Sequence, residues 1–384
     1  MITNPSSIKF YRIKKESNLF SFSDEMGSLP VLNTNLEKYQ RWCIESNGCQ
    51  LVDSNEGTEI EEEVYFKFDE DLLFSPNFVR EILGLSQGQQ SSLQFSLAAN
   101  LFNERFVLPH SNSEIHNLIF NFFFINKKEL KTEIQIVQQE LYPTEIRLPK
   151  QIVKSGSYPV FQCDVFVSRM ASPFHLLQAN LALNLMRTIK WKKSFPKWIT
   201  KRFSKANGRN SPKVLKFFNK KGKNCFIHPS AVVEGCVLGD NVSIGANCTV
   251  RLSHIGDGST IQDNVSVVQS VIGKNNVIAN NNHISMCHTY DEVYLIHGPY
   301  QFSIFGKSTA VFAVINCDIR LDNKNIKIPT DIGVLDSNQP LLGIAYGHRS
   351  KVGGGNIIAP GRIVPNDLHI HPTDNIILDF PSHG

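Results

Sequence analysis

Three histidines fall close together in the segment "NNNHISMCHTYDEVYLIHGPYQFSIFG", at His283, His288 and His297. Neutral imidazole titrates near physiological pH, which suits a general base acting on an amine or a hydroxyl group. We predict that this cluster carries the chemistry, with His288 as the first candidate for the base, then His283 and His297. The alternative for each histidine is a hydrogen-bonded surface position without a catalytic role.

A second group of polar residues follows the histidines and is a candidate for binding or orienting a substrate. Its members are Tyr300, Asp318, Arg320, His348 and Arg349. The last two stand in "GHRSKVGGGNIIAPGRIVPND", whose glycines allow the backbone to approach a ligand closely. The same glycines are equally compatible with tight corners, and the charged residues with local ion pairs.

The elements that position these residues follow from an aliphatic rhythm between residues 238 and 278. Leu238, Ile244 and Val250 are six residues apart, and Ile255 follows after five, so that the pattern repeats every 17 residues. Neither the spacing of an amphipathic helix nor the alternation of a hairpin matches this period. Each triplet predicts one triangular turn of three short strands, with glycines such as Gly239 at its corners.

This pattern resembles the hexapeptide-repeat family, whose fold is a left-handed parallel β-helix. The resemblance covers about residues 225 to 289, and a second run contains Tyr346, Val352, Ile358 and Val364. The intervening residues, about 290 to 345, are predicted to be an insertion and a functional loop. The period also places His254 and His288 in one column with Val271 between them, and His283 over Ser266 and Thr249.

The resemblance implies acyl transfer, because many members of the family are acyltransferases. They form trimers, and the acyl donor lies along a groove between neighbouring coils while a histidine acts as the base. We therefore expect a homotrimer that uses acyl-CoA or acyl carrier protein as donor. The expected acceptor is an amine or hydroxyl of a sugar-like or other small metabolite.

A different chemistry is implied by the γ-class carbonic anhydrases, which use the same β-helix. They bind zinc or a similar transition metal with histidines from two adjacent chains, and one histidine pair has the spacing H-x4-H. His283 and His288 have this spacing, and "HGP" at His297 resembles the segment after the family's second metal histidine. In this alternative, His283, His288 and His297 are metal ligands and the metal activates a water molecule.

The first half of the chain reads as mixed α/β. Strands are predicted in "EVYFKFDEDLLF" and "YPVFQCDVFVSRM", and helices in "NLEKYQRWCIES", "SPNFVREILG" and "PFHLLQANLALNLMRTI". Ser75 followed by Pro76 is typical of a helix start. The segment "SLPVLNTNLEKYQRWCIESNG" resembles sugar nucleotidyltransferases, and the overall order resembles the bifunctional N-acetylglucosamine-1-phosphate uridyltransferase and glucosamine-1-phosphate acetyltransferase enzymes. The predicted domains are 1–186 (α/β), 187–224 (a connector) and 225–384 (the β-helix with its insertion).

The first half departs from active nucleotidyltransferases in one respect. Those enzymes depend on a glycine-rich loop near the N-terminus, whereas the first 30 residues here contain one glycine, Gly27. Carboxylates for magnesium are present at Asp69, Asp71 and Asp164. The departure favours a degenerate nucleotidyltransferase-like domain, and it leaves open a noncatalytic protein whose β-helix is a trimer scaffold.

The composition of the chain bears on its partners, its disulfides and its localisation. Residues 187–224 contain 14 of the 39 Lys and Arg residues and no acidic residue, with aromatic residues between them. This connector could be a linker, a surface for an anionic membrane or a phosphorylated ligand, or a nucleic-acid patch, which is the least favoured. The eight cysteines lack the paired spacing of a zinc site. Four of them, Cys225, Cys236, Cys248 and Cys287, lie within or beside the predicted coils, where they would be small apolar residues, so disulfides are not expected. No segment has the roughly 20 apolar residues of a spanning helix, and we expect a cytoplasmic protein.

Overall fold

The structure, a computed structural model, describes residues 8–110, 117–129, 131–147, 157–194, 216, 218–320, 322 and 324–371. Its side chains are described outside 117, 144–160 and 190–194. The chain forms two compact units. Unit 1 comprises Met1–Phe218 together with Asn325–Gln339, and unit 2 comprises Asn219–Lys324 together with Pro340–Gly384.

Unit 1 is built on a mixed six-stranded sheet of order β4-β1-β5-β8-β7-β9. Its strands are β1 (Lys9–Lys14), β4 (Gln50–Asn55), β5 (Val64–Asp69), β7 (Ser92–Ala98), β8 (Asn117–Asn126) and β9 (Thr132–Val137). Three two-stranded sheets consist of β2 (Pro30–Val31) with β3 (Thr34–Asn35), β6 (Leu72–Phe74) with β12 (Val167–Arg169), and β10 (Tyr142–Arg147) with β11 (Ser157–Gln162). The two segments predicted to be strands therefore contain strands in the structure, and they belong to an α/β unit.

Four helices and one 3-10 turn complete this unit. The helices are α1 (Leu36–Glu45), α2 (Pro76–Leu85), α3 (Leu101–Phe106) and α4 (Pro173–Ser194), and the 3-10 turn is Met26–Ser28. Ser75 caps α2 as predicted, because its hydroxyl accepts a hydrogen bond from the Phe78 backbone N–H at 3.2 Å. The three helices predicted from sequence are confirmed as α1, α2 and α4.

Unit 2 is a left-handed parallel β-helix with three faces, as predicted. The first face contains β13 (Lys220–Lys221), β16 (Val237–Leu238), β19 (His254–Ile255), β22 (Val271–Ile272), β25 (His288–Thr289), β28 (Ile304–Phe305), β33 (Ala345–Tyr346) and β36 (Ile363–Val364). The second contains β14 (Phe226–Ile227), β17 (Ser243–Ile244), β20 (Thr260–Ile261), β23 (Val277–Ile278), β26 (Tyr294–Ile296), β29 (Ala310–Phe312), β34 (Lys351–Val352) and β37 (His369–Ile370). The third contains β15 (Val232–Glu234), β18 (Thr249–Arg251), β21 (Ser266–Val268), β24 (His283–Ser285) and β27 (Tyr300–Gln301). A separate pair, β30 (Ile315–Asn316) and β35 (Ile357–Ile358), is also parallel.

The core of the β-helix consists of the aliphatic residues that set the sequence rhythm. Residues such as Ile244, Ile261 and Ile278 are fully buried and stack directly on one another through the pairing of their strands. Cys236, Cys248 and Cys287 are buried in the same cluster, which confirms their prediction as small apolar residues of the coils. All eight cysteines are free thiols.

The corners of the coils combine asparagines and glycines for different reasons. Asn241, Asn264 and Asn275 adopt left-handed backbone conformations, with φ between 53° and 59°. Asparagine tolerates this region better than most residues. Gly239 has an ordinary φ, but a Cβ there would lie 2.3 Å from Oδ1 of Asp257 on the next coil. This glycine is therefore required by close stacking of coils.

The insertion in the β-helix is shorter than the predicted range of about 290–345. Strand pairing continues past residue 290, since β25 pairs with β28 and β26 pairs with β29. The sequence rhythm is lost there because Tyr300 and Phe305 take the inward positions and because one coil is a residue shorter: Ile284 pairs with Tyr300. The extra residues lie between Asn316 and Ala345.

Part of this insertion belongs to unit 1. It contains an antiparallel hairpin of β31 (Lys327–Thr330) and β32 (Gly333–Asp336). Within unit 1, Asp331 at the hairpin turn pairs with Arg169, and the side chain of Gln339 donates a hydrogen bond to the Glu104 carbonyl. The segment predicted to be a loop on the β-helix thus completes the α/β unit.

The predicted basic connector, 187–224, lies largely outside the described residues, which omit 195–215 and 217. Its proposed contact with an anionic membrane or a phosphorylated ligand stays a prediction. Among the helices of the described ranges, none is long and apolar enough to cross a membrane.

We predict that Ile261→Ala lowers the free energy of unfolding of unit 2 by about 2 to 5 kcal/mol, because it opens a cavity in the coil core. The Thr260→Ala variant changes the preceding, outward side chain and is expected to cost less than about 1 kcal/mol. Hydrogen exchange of the coil amides measures both, because all three tryptophans, Trp42, Trp191 and Trp198, lie outside unit 2. Equal losses in the two variants would contradict the assignment of Ile261 to the interior.

Candidate functional site

His288 lies where the repeat predicts it, but its side chain is buried within the chain and does not contact solvent. The column His254, Val271 and His288 is confirmed by the pairing of β19, β22 and β25. The side chain of His288 is fully buried, and neither ring nitrogen has a hydrogen-bond partner among the described residues. Burial lowers the pKa of His288 to about 4, against an opposing effect of the Val271 backbone. His288 is therefore neutral at pH 7, as a base must be, but a substrate has no access to it in this conformation.

His283 and His297 are more accessible than His288. His283, on β24, pairs in register with Ser266, which pairs with Thr249, so its predicted stacking is confirmed. Its side chain is half-buried on the third face of the coils. His297 is exposed and follows β26 in a left-handed conformation, with φ 55°. The backbone that carries the two residues differs, since His283 lies on a regular strand and His297 lies on a corner.

The described part of the chain brings together no group of three or more His, Cys, Asp or Glu side chains that could hold a metal ion. His283, His288 and His297 are thus not assembled into a metal site within one chain. The γ-carbonic-anhydrase alternative draws its ligands from adjacent chains, so zinc or another transition metal at the trimer interface stays a prediction.

Tyr300 was predicted to bind substrate, whereas the structure places it in the core. Its ring is fully buried and lies 5.4 Å from the Phe305 ring, edge to face. The hydroxyl donates a hydrogen bond to the Ile296 carbonyl at 2.9 Å. The reason is positional, because Tyr300 occupies the inward position that an aliphatic residue fills in the preceding coils. Its side chain is not placed to contact a ligand.

Both arginines predicted to bind substrate form local ion pairs on the surface. Arg320 pairs with Asp322, two residues along the chain, through Nε at 2.9 Å. Arg349 pairs with Asp367 through Nε at 2.5 Å and Nη2 at 2.7 Å. The pairing that the sequence left open as an alternative is therefore present for both.

His348 and Asp318 occupy separate positions. Nδ1 of the buried His348 accepts a hydrogen bond from the Lys307 backbone N–H at 2.7 Å, and the ring contacts Tyr290, with 4.9 Å between ring centroids. Asp318 is half-buried, and burial raises its pKa. The residues predicted to bind substrate thus have different surroundings: a core position for Tyr300, surface ion pairs for the two arginines, a buried ring for His348 and a half-buried carboxylate for Asp318.

A cleft in unit 1 was not predicted as a site from sequence. β1 lies between β4 and β5 and is parallel to both, so the chain crosses over β1 between these strands. Open α/β sheets bind ligands beyond the carboxyl ends of the strands at such a switch point. A cavity of about 230 Å³ lies there, and an adjoining one of about 450 Å³ shares Lys15, Asp69 and Asn121 with it.

The first carboxylate of the cleft, Asp69, is already paired. Its Oδ2 accepts hydrogen bonds from Lys15 Nζ and Asn121 Nδ2, both at 2.7 Å. These partners come from the end of β1 and from β8, on either side of β5. The carboxylate is therefore held in place by a cation and an amide.

The second carboxylate, Asp71, is bound by an arginine. Nε of Arg169 donates to Asp71 Oδ2 at 2.8 Å, and Nη2 of the same guanidinium donates to Asp331 Oδ2 at 2.7 Å. The antiparallel pairing of β6 with β12 brings Arg169 to this place, opposite Leu72. A single guanidinium thus bridges two carboxylates that are distant in sequence.

The other carboxylate oxygen of Asp71 is also buried. Asp71 is 8% exposed, and its Oδ1 is buried without a hydrogen bond among the described residues. Burial raises the pKa of Asp71, although the charge and hydrogen bond of Arg169 oppose the shift. A buried oxygen without a partner costs about 1 to 3 kcal/mol, so this position is unusual for a purely structural carboxylate.

His110 contributes a second buried acceptor to the cleft wall. Its Nε2 lies 3.1 Å from the Ile119 carbonyl, which can only accept, so Nε2 carries the proton. Burial lowers the pKa of His110, and Nδ1 is buried without a hydrogen-bond partner among the described residues. The backbone groups of Ile119 and Leu108 oppose this lowering of the pKa. The ring stacks on Phe120, with 5.2 Å between centroids.

Sequence reasoning found only part of this cleft. Asp69 and Asp71 were named as carboxylates for magnesium, but the third, Asp164, does not line the cavity. Lys15, His110 and Arg169 were missed because they are brought together by strand pairing and not by any local motif. The signal that was available is the acidic run from Asp69 to Asp71, which interrupts the predicted strand segment "EVYFKFDEDLLF".

We predict that the unfolding free energy of unit 2 falls as the pH is lowered from 7 to 4, by up to about 3 kcal/mol from His288. In the unfolded chain the imidazole takes up a proton near pH 6.5, whereas in the folded chain it does so only near pH 4. Protons therefore favour the unfolded state over this range. His288→Leu should remove this dependence and His369→Leu, an exposed control, should keep it, as measured by hydrogen exchange. An unchanged slope in His288→Leu would refute the low pKa.

Comparison with known proteins supports the assignment of unit 2. Residues 222–331 match the family model described as the GMPPB C-terminal domain, a hexapeptide-repeat β-helix domain of nucleotidyltransferases. No curated protein matches the chain significantly. The matched stretch is less than a third of the 384 residues, so it identifies the type of one domain. The C-terminal part is therefore a hexapeptide-repeat domain of the kind found in nucleotidyltransferases.

Proposed function

We propose that this protein is a transferase of the hexapeptide-repeat type. It transfers an acyl group from acyl-CoA or acyl carrier protein to an amine or hydroxyl of a sugar-like or other small metabolite. The support comes from the repeat domain, whose type is shared with such enzymes, and from the histidines on its coils. The family match identifies only the type of the C-terminal domain, and acyl transfer is what we propose in addition.

The observation that carries the proposal is the position of His283. Of the three clustered histidines, His288 has no exposed surface and His297 lies on a left-handed corner. His283 lies on a regular strand, in register with Ser266, with its side chain partly exposed. We therefore assign the role of base to His283 in place of His288, which was the first candidate from sequence.

The reaction balances with one proton acceptor. An imidazole nitrogen of His283 takes the proton from the hydroxyl or amine of the acceptor as that group attacks the thioester carbonyl. The carbon–sulfur bond breaks as the tetrahedral intermediate collapses. The thiolate of the donor then receives the proton from the imidazolium, which regenerates the neutral histidine.

Self-association is part of the proposal, since the donor groove is expected between chains. Ile315 and Ile357 pair across β30 and β35 and are 56% and 69% exposed. Two large apolar side chains presented side by side on a sheet favour a contact with another copy of the chain. We propose that this pair lies in the interface of a homotrimer.

The proposed function and its two alternatives predict different metal contents and different activities for the purified protein. A metal-dependent enzyme of γ-carbonic-anhydrase type would contain about one transition metal per chain, held by His283, His288 and His297. A noncatalytic scaffold would form trimers, would contain no metal and would not turn over acyl donors. Elemental analysis together with thiol release separates the three functions.

We predict that the purified chain releases free thiol from acyl-CoA in the presence of an amino sugar, and that His283→Ala lowers kcat by about 10² to 10⁴. His369→Ala, which removes an exposed histidine on another coil, should retain the wild-type rate. The assay is run with a series of acyl chain lengths and with acyl carrier protein. No thiol release with any donor, or an unchanged rate in His283→Ala, would exclude the proposed mechanism.

We predict that light scattering coupled to gel filtration gives the mass of three chains, and that the double variant Ile315→Asp, Ile357→Asp gives the mass of one. A buried carboxylate pair at an apolar interface is strongly unfavourable. Val334→Asp is the matched control, because Val334 is an apolar residue of unit 1 that is 66% exposed. A monomeric wild type would rule out the trimer.

A further inference from the structure

The first coil of the β-helix carries a group of lysines that acyl transfer does not use. Lys220 and Lys221 form β13, the outermost strand of the first face, and Lys223 stands at the corner that follows. All three side chains are exposed, and none forms an ion pair with a described residue. Three cations so close together along the chain give this end of unit 2 a positive surface.

The acidic residues of the first two coils do not cancel this charge. Residues 219–252 contain two of them, Glu234 and Asp240. Glu234 is buried and accepts a hydrogen bond from Nε of Arg251 at 3.0 Å. Asp240 accepts one from the Lys223 backbone N–H at 2.7 Å, which leaves the Lys223 ammonium in solvent. The end of the coils therefore keeps an excess of positive charge.

The same coil leaves the end of the apolar core partly open. Among the described residues, no strand pairs with the outer edges of β13, β14 and β15. Lys221 is in register with the inward Leu238, so a lysine takes the position of an aliphatic residue. Cys225, Ile227 and Ala231 pack on the core but are only partly buried. The core thus ends in an apolar surface that is bordered by lysines.

Phe226 adds a large apolar side chain at this end. Its side chain is 58% exposed, and it lies on the second face in register with Ser243. It follows Lys223 by three residues, so their Cα atoms are at most about 11 Å apart. An aromatic ring beside lysines is typical of surfaces that lie in the interface of a bilayer, where the ring enters the acyl boundary and the ammonium groups stay at the headgroups.

The sequence before the first coil has the same character. Residues 187–218 contain 11 Lys and Arg residues, no Asp or Glu, and aromatic residues between them. Nucleic acid would be attracted by the same charge, but one exposed ring on the first coil is not a stacking platform for successive bases. Lysines are also point charges, without the planar group that binds a phosphate in two places. An anionic bilayer matches both the charge and the open apolar end.

We propose that the first coil of the β-helix docks on a membrane surface that contains anionic lipids. Lys220, Lys221 and Lys223 lie at the level of the headgroups, and Phe226 enters the boundary between headgroups and acyl chains together with the open end of the core. Docking of this kind does not require a helix that crosses the bilayer. It is independent of acyl transfer, because thiol release is measured without vesicles and neither result depends on the other.

The experiment measures co-sedimentation of the full-length protein with phosphatidylcholine vesicles, with and without phosphatidylglycerol. We expect binding to the anionic vesicles and little binding to the neutral ones. The affinity should fall as the ionic strength rises from about 0.1 M to about 1 M, because salt screens the lysines. Equal binding to both kinds of vesicle, or no binding to either by protein whose circular dichroism shows it to be folded, would overturn the proposal.

A triple variant tests the lysines. Each lysine near an anionic surface contributes about fivefold to the affinity, so Lys220→Gln, Lys221→Gln, Lys223→Gln should weaken vesicle binding by about a hundredfold. The matched control is Lys307→Gln, Lys324→Gln, Lys351→Gln, which removes the same charge from exposed lysines elsewhere in unit 2. Lys351 is six strand pairings from Phe226 on the same face, roughly 29 Å away. The control should lose less than about twofold, and equal losses would contradict docking through the first coil.

The variant Phe226→Ser tests the apolar part and leaves the charge unchanged. Loss of a ring that enters the bilayer should weaken binding about tenfold or more while the salt dependence stays the same. Tyr294→Ser is the matched control, because Tyr294 is 39% exposed on the same face, four strand pairings from Phe226. It should bind as the wild type does. Wild-type affinity in Phe226→Ser would refute the insertion of this end.

Competition separates a lipid surface from other anions. Inorganic phosphate should displace the protein from anionic vesicles no more than sodium chloride of the same ionic strength. A single-stranded oligonucleotide should bind more weakly than the vesicles, and its binding should not change in Phe226→Ser. Specific displacement by phosphate, or tighter binding of the oligonucleotide than of the vesicles, would overturn the proposal in favour of a soluble phosphorylated ligand or of nucleic acid.

Discussion

The hydrogen bonding between successive coils is the constraint on which unit 2 depends. From β13 to β29, each strand pairs with a strand 16 or 17 residues away, so the length of a coil is nearly fixed over this stretch. A fixed length means that each inward position recurs at the same corner, where an aliphatic side chain packs on its predecessor. Outward positions are aligned in the same way, which is why His283 lies in register with Ser266 and Thr249 of the two preceding coils. The placement of polar groups on the surface is thus a consequence of the core.

The regular part of this fold was predictable because its contacts are separated by a constant number of residues. The column of His254, Val271 and His288 followed from the period alone. Exposure did not, because the period fixes the direction of a side chain and says nothing about what surrounds it. Tyr300 shows the other limit: an aromatic residue at an inward position removes the aliphatic signal while the coil continues.

The cleft in unit 1 was harder to predict from the sequence, for a different reason. Asp71, Arg169 and Asp331 come from three separate segments, with separations of 98 and 162 residues for the two ion pairs. No local motif encodes such a contact, and each residue taken alone resembles an ordinary solvated charge. The strands around the cleft were predicted from their composition, whereas their order in the sheet, which creates the cleft, depends on long-range pairing.

The assignment of residues 325–339 to unit 1 has a consequence for the order in which the protein is made. A ribosome completes the six strands of the main sheet long before it reaches Asp331. Until then Arg169 has one of its two carboxylate partners, and the nascent α/β unit lacks the β31–β32 hairpin. The coils from residue 219 to residue 316 are synthesised in the interval. The last step in forming the N-terminal unit therefore waits for most of the C-terminal unit, which links the maturation of the two units in time.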